Sequence, residues 1–545
     1  MYVEEVRSVK KNGKVYRTFL VRESYREKGR VRHRTLANIS RLPANHIFQI
    51  RRLMAGGGGN LDSDELALGR SREFGASFVF AELARQLGLD KALYSRPTDW
   101  RQNALAMIVG RIVYQGSKLN LTNLHAESCL WELYGHRPGE RPDVEKTCYE
   151  ALDELLKRQK RIQRRLAGER LANGCLILYD ITNIWMEGEY ARSELVDYGR
   201  GKNGKRGYKQ VAIGLIADKH GCPVAVEVFR GNTSDQTTVE EQAQRLSREY
   251  GVKEIVFAGD RGMLTPKRID EVNAEGFKTL TALTHPQIMA LLEQRVIEMD
   301  LFDERHIAEI LDPDRPGVRY MLCMNRETRM RERATRQSLM DATDAAIKRI
   351  AKVKRKRRAQ DVAAQIGKTL GKYKVGKFYQ WHVSDEGRVQ WHVDAERVER
   401  EKALDGCYVI RSDVARDMMN PTECVQGYKS LQQVEKAFRN LKTVALEIRP
   451  VFHKTDERIR AHVFVCMLAY YLLWHAARRL APLFAADGKG KNRRWSMQGV
   501  IESLKSIVKT ECFAAGMHIC DRISKPDQEQ SNILDALDIV LPRSQ

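Results

Sequence analysis

The sequence has no C-x-x-C pair among its 10 cysteines, so neither a zinc knuckle nor a disulfide framework is suggested, and the thiols read as reduced and mostly buried. No stretch reaches the roughly 20 apolar residues that a membrane-spanning helix needs. The run VFVCMLAYYLLW at 463–474 has the length of a buried core helix instead. The opening MYVEEVRSVKKNGK lacks the apolar region of a signal peptide, so a cytoplasmic location is expected. Gly at 38 and Pro at 14 are ordinary counts for 545 residues, which argues against wholesale disorder. Acid is in short supply: 71 Asp and Glu stand against 93 Lys and Arg, leaving a formal charge of +22. Such an excess suits a polyanionic partner, nucleic acid before a membrane surface.

A chain this long exceeds one ordinary core, and several domains are expected. Residues 1–55 read as a small basic β-unit, with β-prone runs at Tyr16–Val21 and Val31–Leu36 broken by the basic turn Lys10–Lys14. The run Gly56–Gly59 marks a linker, because each glycine loses much backbone entropy on ordering. Residues 60–172 repeat apolar side chains at helical spacing, for example Leu105, Ile108 and Ile112, and form a helical DNA-binding domain. Its last helix carries Lys157, Arg158, Lys160, Arg161, Arg164 and Arg165, a stripe that suits either a DNA backbone or a solvated face.

At Cys175 the texture changes. CLILYDITNIW is a continuous apolar run of strand length, as a central strand covered on both faces should be. KQVAIGLIAD and PVAVEVFRG follow as strands joined through Asp218–Gly221, then the helix TTVEEQAQRLSREYG and the strand EIVFAGDRG. Three antiparallel strands and a helical crossover to a fourth open a ribonuclease-H-like mixed sheet with flanking helices. This α/β catalytic domain is expected to be split, 173–289 and 405–490, around an α+β insertion at 290–404, with a C-terminal helical segment at 491–545. Within the insertion, FYQWHV and VQWHVD read as a hairpin across Ser384–Arg388.

Asp180 sits inside an apolar strand, where an ionised carboxylate is costly to desolvate unless a cation or hydrogen bonds offset the loss. Asp260 poses the same problem at the end of IVFAGD, where the chain leaves the sheet through Arg261 and Gly262. Glu435 lies on a helix, from about Ser430 to Lys442, on a face shared with Tyr428, Arg439 and Lys442 at −7, +4 and +7. Taken singly, a strand-end Asp caps helices and a helical Glu pairs with Arg. Jointly, two strand-borne acids and a helix-borne one suit two Mg²⁺ (or Mn²⁺) ions roughly 3.5 to 4 Å apart, the arrangement that cleaves and transfers phosphodiesters.

The segments YDITNIW, GNTSD, FAGDRG and YKSLQQVEKAFRNLK resemble DDE transposases of bacterial insertion sequences, in the branch with a Tyr-Arg-Glu-Lys signature. VRESYREKGRVRHRTLANISRLP and RIRAHVFVCMLAYYLLW extend that resemblance along most of the chain. It implies that Asp180, Asp260 and Glu435 are the catalytic, metal-binding triad, and that Tyr428 and Lys442 hold the outer signature positions. Leu431 stands where the signature has arginine, so a phosphate contact there would fall to Lys429 or Arg439, or be missing. It further implies terminal inverted repeats and target DNA as partners, a homodimer or larger assembly on the nucleoid, no membrane, and strand cleavage followed by strand transfer. An inactive DNA-binding regulator and a nuclease of the same fold without joining activity are the alternatives.

The loop GRGKNGKRGYK at 199–209 sets Arg200, Lys202, Lys205, Arg206 and Lys209 among glycines, a composition suited to DNA phosphates, with a plain hairpin tip as the other reading. It lacks a Walker A ending, so no ATP site follows. Trp381 and Trp391 are either a cross-strand aromatic pair or, by analogy with related transposases, a grip on a flipped base. His285, His382 and His392 have no partners at zinc spacing and read as structural.

Overall fold

The computed structural model describes residues 1–9, 15–27, 30–55, 66–171, 174–199, 207–353, 357–442, 446, 448–449, 451–486, 495–514 and 517–542. The expected turn at Lys10–Lys14 and linker at Gly56–Gly59 lie outside them. The chain divides into two compact units. One comprises residues 163–185 and 194–438, the other residues 1–162, 186–193 and 439–545.

The first unit is built on a mixed sheet that counts nine strands among the described residues. Its central strand, Leu176–Trp185, is buried along almost its whole length, as the apolar run requires. On one side it pairs antiparallel with Lys209–Asp218, which pairs antiparallel with Pro223–Arg230. On the other side it runs parallel to Val256–Ala258, which the helix Asp235–Gln244 precedes. Beyond lie Lys278–Ala282, then Cys407–Ser412, Arg319–Met324 and Ala308–Leu311.

Alternation along the central strand sorts its side chains between two faces. Ile177, Tyr179 and Ile181 enter one apolar cluster with Phe257, Val239, Ile269 and Val272. Each fully buried side chain of this kind contributes about 1.5–3 kcal/mol. The even-numbered residues, Asp180 among them, face the other way. There the helix Pro421–Lys429 comes so close that a Cβ at Gly427 would sit 3.1 Å from side-chain atoms of Leu176 and Leu280.

Two strands of the expected insertion, Ala308–Leu311 and Arg319–Met324, extend this sheet instead of standing apart from it. Arg319–Met324 joins the sheet through Cys407–Ser412, which lies far along the chain, and carries Ala308–Leu311 on its other edge, so local patterning gave no sign of the pairing. Ile297, Phe302 and Leu404 pack with these strands, while side chains between 340 and 398, including Ile347, Val362, Ile366 and Val398, gather in a cluster of their own. Its hairpin pairs Tyr379–Val383 with Val389–Val393, Trp381 directly opposite Trp391.

In the second unit, Tyr2–Val9, Val15–Glu27 and Arg30–Asn38 form a three-stranded antiparallel sheet. The helices Gly75–Gln86, Asp99–Val113 and Glu150–Lys157 pack against Asp456–Arg479. That last helix has the length and composition to cross a membrane, but 83 % of its most apolar window is buried within the fold. The stretch 491–545, expected to be helical, carries the strands Val508–Ala514 and Met517–Ile523, and the first pairs with Leu66–Glu73. Neither VKTECFA nor MHICDRI alternates apolar and polar residues cleanly, so no strand pattern stands out there.

Candidate active site

The parallel pairing of Leu178 with Ala258 sets the register that brings two acids together. Asp180 and Asp260 each lie two residues further on, so they stand side by side where the strands diverge. Each aspartate accepts a hydrogen bond from the backbone N–H of the next residue: Ile181 to Asp180 at 2.7 Å, and Arg261 to Asp260 at 2.8 Å. Such bonds fix the carboxyl groups without using all their lone pairs.

The third acid arrives from the helix Leu431–Lys442, whose Val434, Ala437, Phe438 and Leu441 are buried at helical spacing and whose Glu435 is exposed. The turn after Asp218 seats this helix. Gly221 has φ +82°, and a Cβ there would fall 2.6 Å from the Cβ of Gln433. Only glycine allows both that backbone conformation and that approach.

Asp180, Asp260 and Glu435 line one cavity of about 270 Å³, together with Tyr408, Tyr428, Lys429, Leu431 and Gln432. The Tyr428 hydroxyl donates to Asp260 Oδ1 at a long 3.5 Å. Burial, and then the negative charge of Asp260, push the Tyr428 phenol well above its usual range, so it remains a donor at any working pH. The Lys429 ammonium lies 5.8 Å from the centroid of the Tyr408 ring. Among the described residues, no three His, Cys, Asp or Glu side chains are gathered tightly enough to share one metal ion, so the three acids wall the cavity without meeting at a point. Neither Asp260 nor Glu435 forms an ion pair among the described residues, so structural pairing does not account for them.

Tyr428 is not on the helix of Glu435, as the spacing suggested. It lies in the last turn of the preceding helix, Pro421–Lys429, which closes at Ser430: the Ser430 N–H also reaches the Gly427 carbonyl at 3.2 Å, and the Ser430 carbonyl accepts from the Gln433 N–H at 2.8 Å, the three-residue spacing that tightens a helix end. Arg439 and Lys442 occupy the last turn of the Glu435 helix and do not line the cavity. Arg261 is exposed beside Asp260, and its charge acts on the Tyr428 phenol.

Lys209 begins its strand with its ammonium 5.7 Å from the Tyr198 ring centroid, while Arg200, Lys202, Lys205 and Arg206 lie outside the described residues. Trp391 leans into the hairpin's own cluster and donates to Asp344 Oδ1 at 3.3 Å, while Trp381 is exposed. Neither belongs to the cavity. Tyr408 and Gln432 were not anticipated. Tyr408 is legible only as one aromatic in the strand GCYVIRSD, and Gln432 only by its place one turn before Glu435.

Residues 173–472 match the family described as the transposase DDE domain, and residues 3–63 match the IS1634 family transposase N-terminal domain. No curated protein matches the chain. Among solved structures, a cryo-EM structure of the piggyBac transposase synaptic complex with hairpin DNA is similar at a TM-score of 0.34 and 6 % identity, over 80 % of this chain and 82 % of that one.

Proposed function

The chain belongs to the DDE-domain transposases, and from that premise we propose that it binds terminal inverted repeats and uses Asp180, Asp260 and Glu435 to cleave DNA strands and join them to a target. The observation that carries this reading is the placement of three carboxylates, from two adjacent strands and one helix, on the wall of a single cavity inside the span that matches the DDE domain. The sheet that supplies them, three antiparallel strands crossing by a helix to a parallel fourth, supports a ribonuclease-H-like catalytic domain.

The donor set is all oxygen, which suits Mg²⁺ or Mn²⁺ over softer metals. Asp180, Asp260 and Glu435 would hold two such ions, which when bound supply an activated oxygen nucleophile and stabilise the leaving oxygen. The protein's own groups set the orientation. Asp180 and Asp260 are pinned by their backbone hydrogen bonds, and Tyr428 offers Asp260 a proton donor that does not ionise. Lys429, on the cavity wall, and Arg261, beside Asp260, are placed to meet phosphate oxygens by charge-assisted hydrogen bonds. Arg439 and Lys442 extend that contact along the strand beyond the cavity, with the 199–209 loop contributing further cations. Trp381, exposed on its hairpin, is the better placed of the two tryptophans to stack on a base.

The test is end-DNA cleavage and strand transfer by Asp180→Asn, Asp260→Asn and Glu435→Gln. All three should bind the DNA and cut none of it in Mg²⁺. Undiminished cleavage by any one of them would remove that residue from the site. Cleavage without transfer products in the wild type would identify a nuclease, and binding without cleavage a regulator.

A further inference from the structure

A second cavity, of about 250 Å³, lies in the unit that does not hold the acids, and its chemistry is the reverse. Arg111, Lys118, His453 and His462 line it, all buried, and no described residue on its wall is acidic. Leu119 and Phe452, both about half exposed, form its rim, so it reaches the surface.

The hydrogen bonds leave donors without acceptors. His462 Nε2 lies 3.0 Å from the Ile448 carbonyl, which can only accept, so Nε2 carries the proton. Nδ1 is then the acceptor for the Lys118 ammonium at 2.8 Å. Arg111 Nη2, 3.2 Å from the same Nε2, therefore faces a donor. Arg111 Nη1 donates to the Gly116 carbonyl at 2.8 Å, but its buried Nε finds no acceptor among the described residues. A buried guanidinium with unmet donors beside a buried ammonium is costly unless an anion completes it.

We propose that this cavity is an oxyanion site that takes one phosphate group, with Arg111 and Lys118 as its charged ligands. Its volume is below that of pockets for drug-sized ligands, roughly 300–1,000 Å³, which limits the guest to a single small anion or one phosphate of a longer chain. The guest is either free phosphate or a phosphodiester of bound DNA. Only the second source rests on the function proposed above. Burial and the neighbouring Arg111 push the Lys118 ammonium down to about 7, and an anion beside it would raise it again. The other charged or titratable groups facing it are His453, His462, Cys148, Cys466 and, beyond Tyr149, Arg458, which pairs with Asp153 at 3.9 Å.

The experiment is thermal unfolding of the full chain in inorganic phosphate and in chloride at matched ionic strength, with salt-dependent binding of a random-sequence DNA duplex as a second arm. In the wild type the midpoint should rise with phosphate concentration and saturate, as mass action on a native-state site requires. Lys118→Met should raise the midpoint in chloride, since a buried cation is gone, and should abolish the response to phosphate. Arg111→Lys, which keeps the charge but loses the fork, should weaken that response. If DNA is the source, Lys118→Met should lower the slope of log affinity against log salt by about 0.9, while Arg111→Lys, which keeps its charge, should leave it unchanged. An unchanged slope with a lost phosphate response assigns free phosphate. A wild-type midpoint indifferent to phosphate, with an unchanged DNA slope in Lys118→Met, would overturn the proposal. So would a phosphate response that survives both substitutions. Neither arm reads cleavage, so failure of the catalytic assignment leaves this result standing.

Discussion

Two cavities of nearly equal volume, about 270 Å³ and 250 Å³, carry opposite charge and handle it differently. In the acidic one, Asp260 and Glu435 are exposed, and the aspartates are steadied by their own backbone. Water can solvate such charges until a cation replaces it. In the basic one, Arg111, Lys118, His453 and His462 are all buried, and burial has already moved proton affinities: the Lys118 ammonium sits near 7 and the His453 imidazolium near 3. The difference teaches that burial, more than the count of charged residues, decides whether a site waits in water for its ligand or is under strain without one.

The largest expected effect tests the acidic side. Chelation of divalent metal should stop cleavage outright, and Mn²⁺ or Mg²⁺ should restore it. Single neutralisations of the triad should each cost at least about 10³-fold in rate, read as nicked product from end DNA. Activity that persists in chelator would break the contrast, since the acids would then lack a cation to hold.

Gly221→Ala comes next. An alanine there must adopt φ near +82° and clash with Gln433, so a loss of about 1–3 kcal/mol in stability is expected. Denaturant unfolding measures it, and a cleavage defect larger than the stability loss would show that the turn positions the Glu435 helix. The same turn shows how far local reading reaches. Asp218–Gly221 is recognisable as a hairpin turn from its residue types, but its contact with Gln433 joins positions more than 200 apart.

A smaller effect should come from pH on the basic side. His453 binds its proton at about 3 in the folded chain and near 6.5 when unfolded, so between those values the unfolded state holds more protons. Stability should therefore fall as pH drops from about 6.5 toward 3. His453→Asn should make that slope shallower in denaturant melts at stepped pH, with His462, whose pKa burial also lowers, supplying the remainder, while Asp180→Asn should leave it. Lys118 adds the matching trend on the alkaline side, where stability should rise between about 7 and 10.5.

The smallest expected change sharpens the acidic cavity. Leu431→Arg would place on its wall a cation that the related signature carries and this chain lacks, and should tighten end-DNA binding by roughly five- to tenfold, about one charge-assisted hydrogen bond. Gel-shift titration at fixed salt would read it. No tightening would mean that Lys429 already meets the phosphate.

Much of the acidic site could be read along the chain because its signals are local. A carboxylate inside CLILYDITNIW is conspicuous for its cost, Asp260 marks a strand end, and Glu435 sits on the polar side of an amphipathic helix. The break at Ser430 was hidden, since serine is tolerated within helices and only the three-residue bonds to Gly427 and from Gln433 reveal it. The strands Ala308–Leu311 and Arg319–Met324 were missed as parts of the sheet because their place in it is decided by the pairing of Arg319–Met324 with the distant Cys407–Ser412, which no local pattern names.

By itself the sequence determined the basic character and the strand–helix order of the core, and it singled out three acids as candidates, because these follow from composition, periodicity, the cost of burying charge and a family resemblance. Tertiary structure alone decided that Asp180 and Asp260 share a register, that Tyr428 turns toward Asp260 from a separate helix, and that Arg111 meets His462 across 351 positions. Contacts at such separations depend on how whole elements pack, and packing is a property of the assembled core, written in no single segment.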